Sequence, residues 1–210
     1  MSYTGAAMVM FPMFVKLEGK RCVVIGAGRI AMAKIAGLLR AGAQVVVVSP
    51  KAIAAIRAQV NQGKLTWQRR KFLASDVDKA FLVIAASNSP ATNQEVFRAC
   101  ADRGVFCNAV DDREHCDFFY PAVVSRGALQ IAISTAGRSP ALAHRLRCDL
   151  EQQFGPEYEE WVERVGELRR EILARDMAPE KRRKLLKQIA SHEAFDDFAR
   201  RRSPARRHAT

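Results

Sequence analysis

Two features of the sequence have residue types and spacing that could do chemistry: a turn of small residues and an aspartate that follows an apolar stretch. The turn reads Gly-Ala-Gly-Arg-Ile-Ala from Gly26 to Ala31 and follows four apolar residues. In such a turn Gly26 permits a sharp bend, Gly28 lets a phosphate approach the backbone, and Ala31 lets the next helix pack closely on the strand. The pattern predicts a dinucleotide-binding turn with backbone N–H groups facing the phosphates. A turn of flavodoxin type that binds no ligand is the alternative.

The aspartate is Asp111, which directly follows the apolar stretch 105–110. If that stretch is a parallel strand, Asp111 lies at the carboxyl edge of the sheet, where doubly wound proteins bind their ligands. A carboxylate at that edge can accept a proton from a bound substrate. The alternative is an aspartate that caps a loop, which is the usual role of Asp after a strand.

Residues that follow the glycine turn, the second strand and the fourth strand are expected to border the same edge. They are Arg29 and Ile30, then Ser49, Pro50 and Lys51, then Ala86 and Ser87. An acidic residue about 20 positions after the glycine turn would bind the ribose of NAD. This chain has no acid there, and Lys51 would suit a 2′-phosphate, so the residues alone leave NAD and NADP both open.

Alternating strands and helices must position these residues. Apolar runs predict strands at 21–25, 44–49, 65–69, 81–86 and 105–110. With helices between them, they indicate an α/β fold built on a Rossmann-type doubly wound parallel sheet. Strands at 118–124 and 129–134 and a capped helix at 141–154 then predict a small α+β segment, and a charged helical region follows it.

The predicted division of the chain has four parts. They are a nucleotide-binding domain at 1–112, an α+β dimerisation segment at 113–150, a helical domain at 151–202, and a basic tail at 203–210 that we expect to be disordered. The formal net charge of +12 lies mainly on the first domain and the tail. A basic protein attracts polyanions, but no nucleic-acid-binding motif accompanies the tail, and a nucleic-acid partner is not expected.

Composition and residue spacing also indicate the cellular compartment and whether the protein holds a metal. No run is long and apolar enough to span a bilayer, and the N-terminus does not resemble a secretory signal. The five cysteines are an odd number without a disulfide framework, which favours reduced thiols and a cytoplasmic location. His115 and Cys116 match no metal-ligand spacing, so no protein-held metal is predicted.

Several separated motifs together resemble the siroheme synthase family, specifically its precorrin-2 dehydrogenase/sirohydrochlorin ferrochelatase module. The resemblance covers residues 11 to about 150 well and the helical end loosely. It rests on the segments Phe11-Pro12-Met13-Phe14-Val15, Val24-Ile25-Gly26-Ala27-Gly28, Ala85-Ala86-Ser87, Asn93-Gln94, Cys107-Asn108-Ala109-Val110-Asp111, Pro121-Ala122 and Ile133-Ser134-Thr135-Ala136-Gly137-Arg138-Ser139-Pro140.

The resemblance implies a reaction, a cofactor and partners. NAD⁺ would take a hydride from precorrin-2 to give sirohydrochlorin, and many members then insert Fe²⁺ as a second substrate to make sirohaem. The resemblance also implies a homodimer, and it matches Asp111 to the catalytic aspartate of the family, whereas Asp112 does not fit that position. Ala136 departs from the pattern, because the family often has glycine there.

The substrate carries many carboxylates, which arginine and the N-terminal N–H groups of a helix can bind. We therefore expect substrate contacts from Asn108, Ser134, Thr135, Arg138 and Ser139, although the last four would also suit an ordinary capped helix. Two other functions stay open at this point. One is a regulatory domain that senses a nucleotide, and the other is a dehydrogenase of a small hydroxy acid, for which His115 is the nearby candidate residue.

Overall fold

The computed structural model describes residues 10–202, so the predicted tail at 203–210 lies outside the described residues. The chain divides into two compact units, one from Phe11 to Tyr120 and one that begins at Pro121 and includes Met10. The predicted boundaries after residues 112 and 150 stay predictions. Among residues 10–202, every helix is too short or too polar to cross a lipid bilayer.

The first unit is a five-stranded parallel sheet in the order β3-β2-β1-β4-β5. Its strands are β1 (Arg21–Ile25), β2 (Gln44–Val48), β3 (Thr66–Gln68), β4 (Leu82–Ala85) and β5 (Phe106–Ala109). Its helices are α1 (Arg29–Arg40), α2 (Ala54–Asn61) and α3 (Pro90–Ala101). The order and the alternation confirm the predicted Rossmann-type fold, and no strand end differs from the predicted one by more than one residue.

Alternating side chains of the strands build a core on each face of this sheet. In β1, Cys22 and Val24 pack with α1 and α2, whereas Val23 and Ile25 pack with α3. All four are at most 2% exposed, which is why this strand has an apolar run instead of an alternating pattern. Because helices cover both faces of the sheet, the position of its carboxyl edge is fixed. The candidate residues lie at this edge.

The second unit contains an antiparallel hairpin and four helices. The hairpin pairs β6 (Ala122–Arg126) with β7 (Leu129–Ile133), and the helices are α4 (Pro140–Gln153), α5 (Glu157–Ala174), α6 (Pro179–Gln188) and α7 (His192–Arg202). The side chain of Arg126 donates hydrogen bonds to the carbonyl oxygens of Phe154 (2.8 Å) and Glu151 (3.1 Å), which ties the hairpin to the end of α4.

The strand predicted at 118–124 was wrong at its start. The strand begins only at Ala122, because Pro121 has no N–H to donate to a ladder and the residues before it belong to the first unit. Phe118 packs on the core beside α1, and its carbonyl oxygen accepts a hydrogen bond from Asn108 Nδ2 at 2.8 Å. The aromatic run therefore closes the sheet unit and does not open the hairpin.

Candidate functional site

The glycine turn combines one position where a side chain is forbidden with one where it is not. Gly26 has φ +108°, and a Cβ there would clash with the carbonyl group of Ala86, whose carbon lies 2.6 Å away. Gly28 is the N-cap of α1 with φ −89°, and a Cβ there would meet no atom within 4 Å. Gly26 is thus needed for the fold, whereas the space above Gly28 is open.

The open space belongs to a cleft of about 770 Å³ at the carboxyl edge of the sheet. It is lined by predicted residues from three places in the sequence: Gly28, Arg29, Ile30, Ala86, Ser87 and Asp111. Within the described chain, no side chain caps the N-terminus of α1, and the first turn of this helix contains no acidic residue. The backbone N–H groups and the helix dipole at that end are therefore available to an anion.

A second cleft of about 610 Å³ shares Gly28, Ala86 and Ser87 with the first and extends toward the end of β2. Gly26 and the predicted residues Ser49, Pro50 and Lys51 line it. The Ser49 hydroxyl donates to the carbonyl oxygen of Lys51 at 2.8 Å, and Trp67 Nε1 donates to the carbonyl oxygen of Ser49 at 2.9 Å. These bonds hold the turn after β2 in one conformation beside the cleft.

Asn93 of α3, which the sequence analysis names only as part of a motif and assigns no role, fixes the turn after β4. Asn93 is 6% exposed. Its Oδ1 accepts hydrogen bonds from the Ser87 backbone N–H (3.1 Å) and hydroxyl (2.7 Å), and its Nδ2 donates to the Ser87 carbonyl oxygen at 3.2 Å. A signal for this role was present, since an Asn on the buried face of an amphipathic helix needs polar partners.

Asn93→Ala is therefore expected to destabilise the first unit by about 2 kcal/mol, because it removes three hydrogen bonds that hold the partly buried turn at Ser87. Urea denaturation measures this change. The matched control is Asn61→Ala at the exposed end of α2, which should unfold at nearly the wild-type urea concentration. Equal stability of the two variants would contradict the role of Asn93.

Asp111 lies two residues after the end of β5 and has φ +62°, in the left-handed region that Asp and Asn tolerate better than most residues. Its side chain is exposed toward the cleft. The neighbouring Asp112 has a different environment, because its Oδ2 lies 2.6 Å from Nδ1 of His115. Of these two adjacent acids, Asp111 is the one that a bound molecule could reach without breaking a contact to His115.

Lys34 of α1 is a second residue that the sequence analysis missed. Its Nζ lies 3.6 Å from the centre of the Tyr120 ring, and both residues line a pocket of about 280 Å³ with Asp111, Asn108 and Cys116. Burial lowers the pKa of Lys34, and the nearby Asp111 and Cys116 oppose that shift. Burial also raises the pKa of Tyr120 to about 12.

The predicted substrate residues are divided between the two units. Asn108 is 7% exposed in the first unit and donates from Nδ2 to Phe118, so part of its hydrogen-bonding capacity is structural. Ser134, Thr135, Arg138 and Ser139 lie in the second unit, on the loop between β7 and α4.

Hydroxyl groups organise that loop. Thr135 Oγ1 donates to the Ser139 carbonyl oxygen (3.1 Å) and accepts from the Ser139 N–H (3.2 Å). Ser139 Oγ caps α4 by accepting from the Leu142 N–H at 3.2 Å, and the side chain of Arg138 is exposed. Ala136 has φ +49°, which explains why a glycine would be favourable at this position.

Known proteins match both units. The family model described as "Putative NAD(P)-binding" matches residues 13–122, and the model described as "Sirohaem biosynthesis protein central" matches residues 126–153. A siroheme synthase of Neisseria meningitidis serogroup B is 38% identical over 162 residues, which is 77% of this chain and 34% of that protein. The chain belongs to the siroheme synthase family. The match to the NAD(P)-binding model covers the whole parallel sheet and both clefts.

Other members of the siroheme synthase family give the same result. A siroheme synthase of Actinobacillus pleuropneumoniae serotype 3 is 33% identical over 188 residues, covering 90% of this chain and 39% of that protein. This chain thus spans between a third and two fifths of the length of these two relatives. The solved structure of "SirC, precorrin-2 dehydrogenase" matches with a TM-score of 0.76 at 29% identity, covering 88% of this chain and 91% of that one.

Proposed function

We propose that this protein oxidises precorrin-2 to sirohydrochlorin with NAD⁺ as the hydride acceptor. The observation that carries the proposal is the single cleft that has the uncapped N-terminus of α1 on one side and the exposed carboxylate of Asp111 on another. The similarity to a precorrin-2 dehydrogenase over nearly the full length of both chains supports the same reaction.

The residues around the cleft fit a dinucleotide. The N–H groups that follow Gly28, at Arg29 and Ile30, would bind the pyrophosphate in the space that lacks a Cβ. Ser49, Pro50 and Lys51 would contact the adenosine end in the second cleft, and the turn of Ala86 and Ser87 would border the nicotinamide. When bound, NAD⁺ supplies the hydride acceptor.

The chain itself would supply the proton acceptor. Oxidation of precorrin-2 removes a proton together with the hydride, and Asp111 would take that proton, since it lines the cleft and forms no ion pair with a lysine or arginine in the described chain. Its left-handed backbone holds the carboxylate at the edge of the cleft. The same carboxylate could take pyrrole protons when Fe²⁺ enters sirohydrochlorin as a substrate.

Substrate carboxylates would be held by the loop 134–139, where Arg138 is exposed and α4 presents its N-terminus. Asn108 of the first unit stays a predicted substrate contact. We also propose that the chain acts as a homodimer, as the family resemblance implies, and light scattering of the purified protein tests this state.

The hydroxy-acid dehydrogenase is the weaker alternative. His115 does have the Asp partner that such a reaction uses, at 2.6 Å. However, the ring of His115 packs edge-on against Phe97 at 5.0 Å, and His115 is absent from the described lining of the nucleotide cleft. A histidine in that position is better suited to holding the loop after β5 than to contacting a substrate.

The decisive experiment incubates the purified full chain with precorrin-2 under anaerobic conditions, with NAD⁺ or NADP⁺ and with or without Fe²⁺. We expect NADH absorbance and the sirohydrochlorin spectrum with NAD⁺, and the sirohaem spectrum when Fe²⁺ is added. Absence of turnover with both nucleotides would refute the dehydrogenase proposal. Oxidation without iron insertion would restrict the proposal to the first reaction.

A further inference from the structure

The pocket around Lys34 meets the nucleotide cleft at Asp111. Val110, Asp111 and Asp112 line both spaces, so this short segment forms their common wall. A molecule that places its reacting atom at Asp111 can therefore extend a substituent into the Lys34 pocket. With a volume of about 280 Å³, the pocket is too small for a tetrapyrrole and large enough for one of its carboxylate side chains.

The ammonium group of Lys34 has the environment of a binding group that awaits an anion. It is half-buried on α1, on the same face as the buried residues Ala31, Ile35 and Leu38. Within residues 10–202, Lys34 lies over the face of the Tyr120 ring and is attracted at longer range to the carboxylate of Asp111. Neither of these is a short charge-assisted hydrogen bond, so the N–H donors of Lys34 are available to an anion that enters the pocket.

We propose that Lys34, held over the ring of Tyr120, binds one carboxylate side chain of the substrate in this pocket and thereby positions the tetrapyrrole against Asp111. The inference rests on the proposed function, because it takes precorrin-2 and sirohydrochlorin as the ligands. Lys34 is a specificity-determining residue in this account, and Asp111 remains the group that exchanges protons.

The cation–π contact explains how the pocket selects a carboxylate. The Tyr120 ring stabilises the charged form of Lys34 without occupying its N–H donors, so these donors stay free for an incoming oxygen. The opposing charge of Asp111 lies close enough to influence Lys34 but forms no ion pair with it in the described chain. A substrate carboxylate can therefore bind Lys34 without displacing Asp111.

The test compares Lys34→Met with wild type in two binding measurements on the full chain. Methionine keeps the apolar stem and removes the charge, so we expect the dissociation constant for sirohydrochlorin and the KM for precorrin-2 to rise roughly 10- to 100-fold. The dissociation constant for NAD⁺ should stay within about twofold. Because burial of the charged group opposes folding, the thermal midpoint of Lys34→Met should not fall.

The matched control is Lys20→Met. Lys20 also lies over an aromatic ring, that of Phe81 at 5.7 Å, but it precedes β1 and so lies at the opposite end of the strands from the pocket. This control should bind sirohydrochlorin as wild type does. Lys34→Gln provides a second variant without the charge, should Lys34→Met fold poorly, and it is expected to lose affinity to a similar extent.

The outcomes separate the inference from the function on which it rests. If wild type neither binds sirohydrochlorin nor oxidises precorrin-2, the proposed function fails. If wild type does both and the two Lys34 variants bind sirohydrochlorin as tightly, the carboxylate site is refuted while the function stands. Loss of NAD⁺ affinity in the Lys34 variants would also refute it, because Lys34 would then serve the nucleotide.

Discussion

Asp111→Asn is expected to lower kcat for precorrin-2 oxidation by about 100- to 10,000-fold, the usual effect of removing a general base. Asparagine keeps the size of the side chain and tolerates the left-handed backbone at φ +62°. The loss should therefore come from the missing proton acceptor and not from a rearranged turn. Steady-state kinetics with NADH detection measures kcat, and equilibrium titration should show NAD⁺ affinity within about twofold of wild type.

Alanine is a less informative substitution at this position. Asp111→Ala should also abolish oxidation, but alanine in the left-handed region adds backbone strain of about 1 kcal/mol. Part of its effect would then reflect the stability of the turn after β5. Full activity of either variant would remove Asp111 from the mechanism.

The adjacent Asp112→Asn variant serves as a comparison for charge. Its carboxylate already lies 2.6 Å from His115, so this variant should lose some stability and much less activity than Asp111→Asn. If both variants lost activity equally, the proton acceptor could not be assigned to Asp111.

Gly28→Asp is the second substitution with a large expected effect. It should abolish NAD⁺ binding and leave the fold intact. A Cβ at this position meets no atom within 4 Å and φ is −89°, so the backbone accepts a side chain without strain. Asp is also a favourable N-cap that complements the helix dipole, which should stabilise α1 by about 0.5 kcal/mol. Its carboxylate would occupy the space assigned to the pyrophosphate.

The expected signature is an unchanged or higher thermal midpoint together with a dissociation constant for NAD⁺ raised at least roughly 100-fold by clash and like-charge repulsion. Gly28→Asn separates the two causes, because it has nearly the same shape without the charge and should bind NAD⁺ more tightly than Gly28→Asp. Undiminished binding by Gly28→Asp would contradict the placement of the pyrophosphate.

Gly26→Ala gives the contrast within the same turn. A Cβ at Gly26 would clash with the backbone of Ala86, and φ +108° disfavours any side chain. Gly26→Ala is expected to lose activity because the fold is unstable, whereas Gly28→Asp is expected to lose activity because it no longer binds NAD⁺. Comparing their thermal midpoints distinguishes the two roles of glycine in the turn.

The sheet was predictable from sequence because its signals are local. An apolar run followed by the glycine turn predicts β1 and the start of α1, and the structure confirms both within one residue. The position of Asp111 at the cleft follows from the same rule, since parallel strands bring their carboxyl ends to one edge. The binding and catalytic roles of these residues stay predictions.

The missed residues depend on contacts between distant segments. Lys34 stands out as a candidate only because the ring of Tyr120 covers it, and Tyr120 is distant in sequence, at the C-terminal end of the first unit. The bonds from Asn93 to Ser87 likewise need the helix α3 to fold back over the turn after β4. Helical periodicity could have marked both as polar residues on buried faces, but it could not have named their partners.

The arrangement of the two tryptophans gives each compact unit its own optical reporter. Trp67 donates a hydrogen bond to the backbone of Ser49 beside the second cleft, whereas Trp161 packs edge-on against Phe195 and at a tilt against Phe198 in the helical unit. Replacing Trp161 by phenylalanine would leave emission from the sheet unit alone. Quenching of that emission by energy transfer to the reduced coenzyme would then follow occupancy of the cleft directly, independently of turnover.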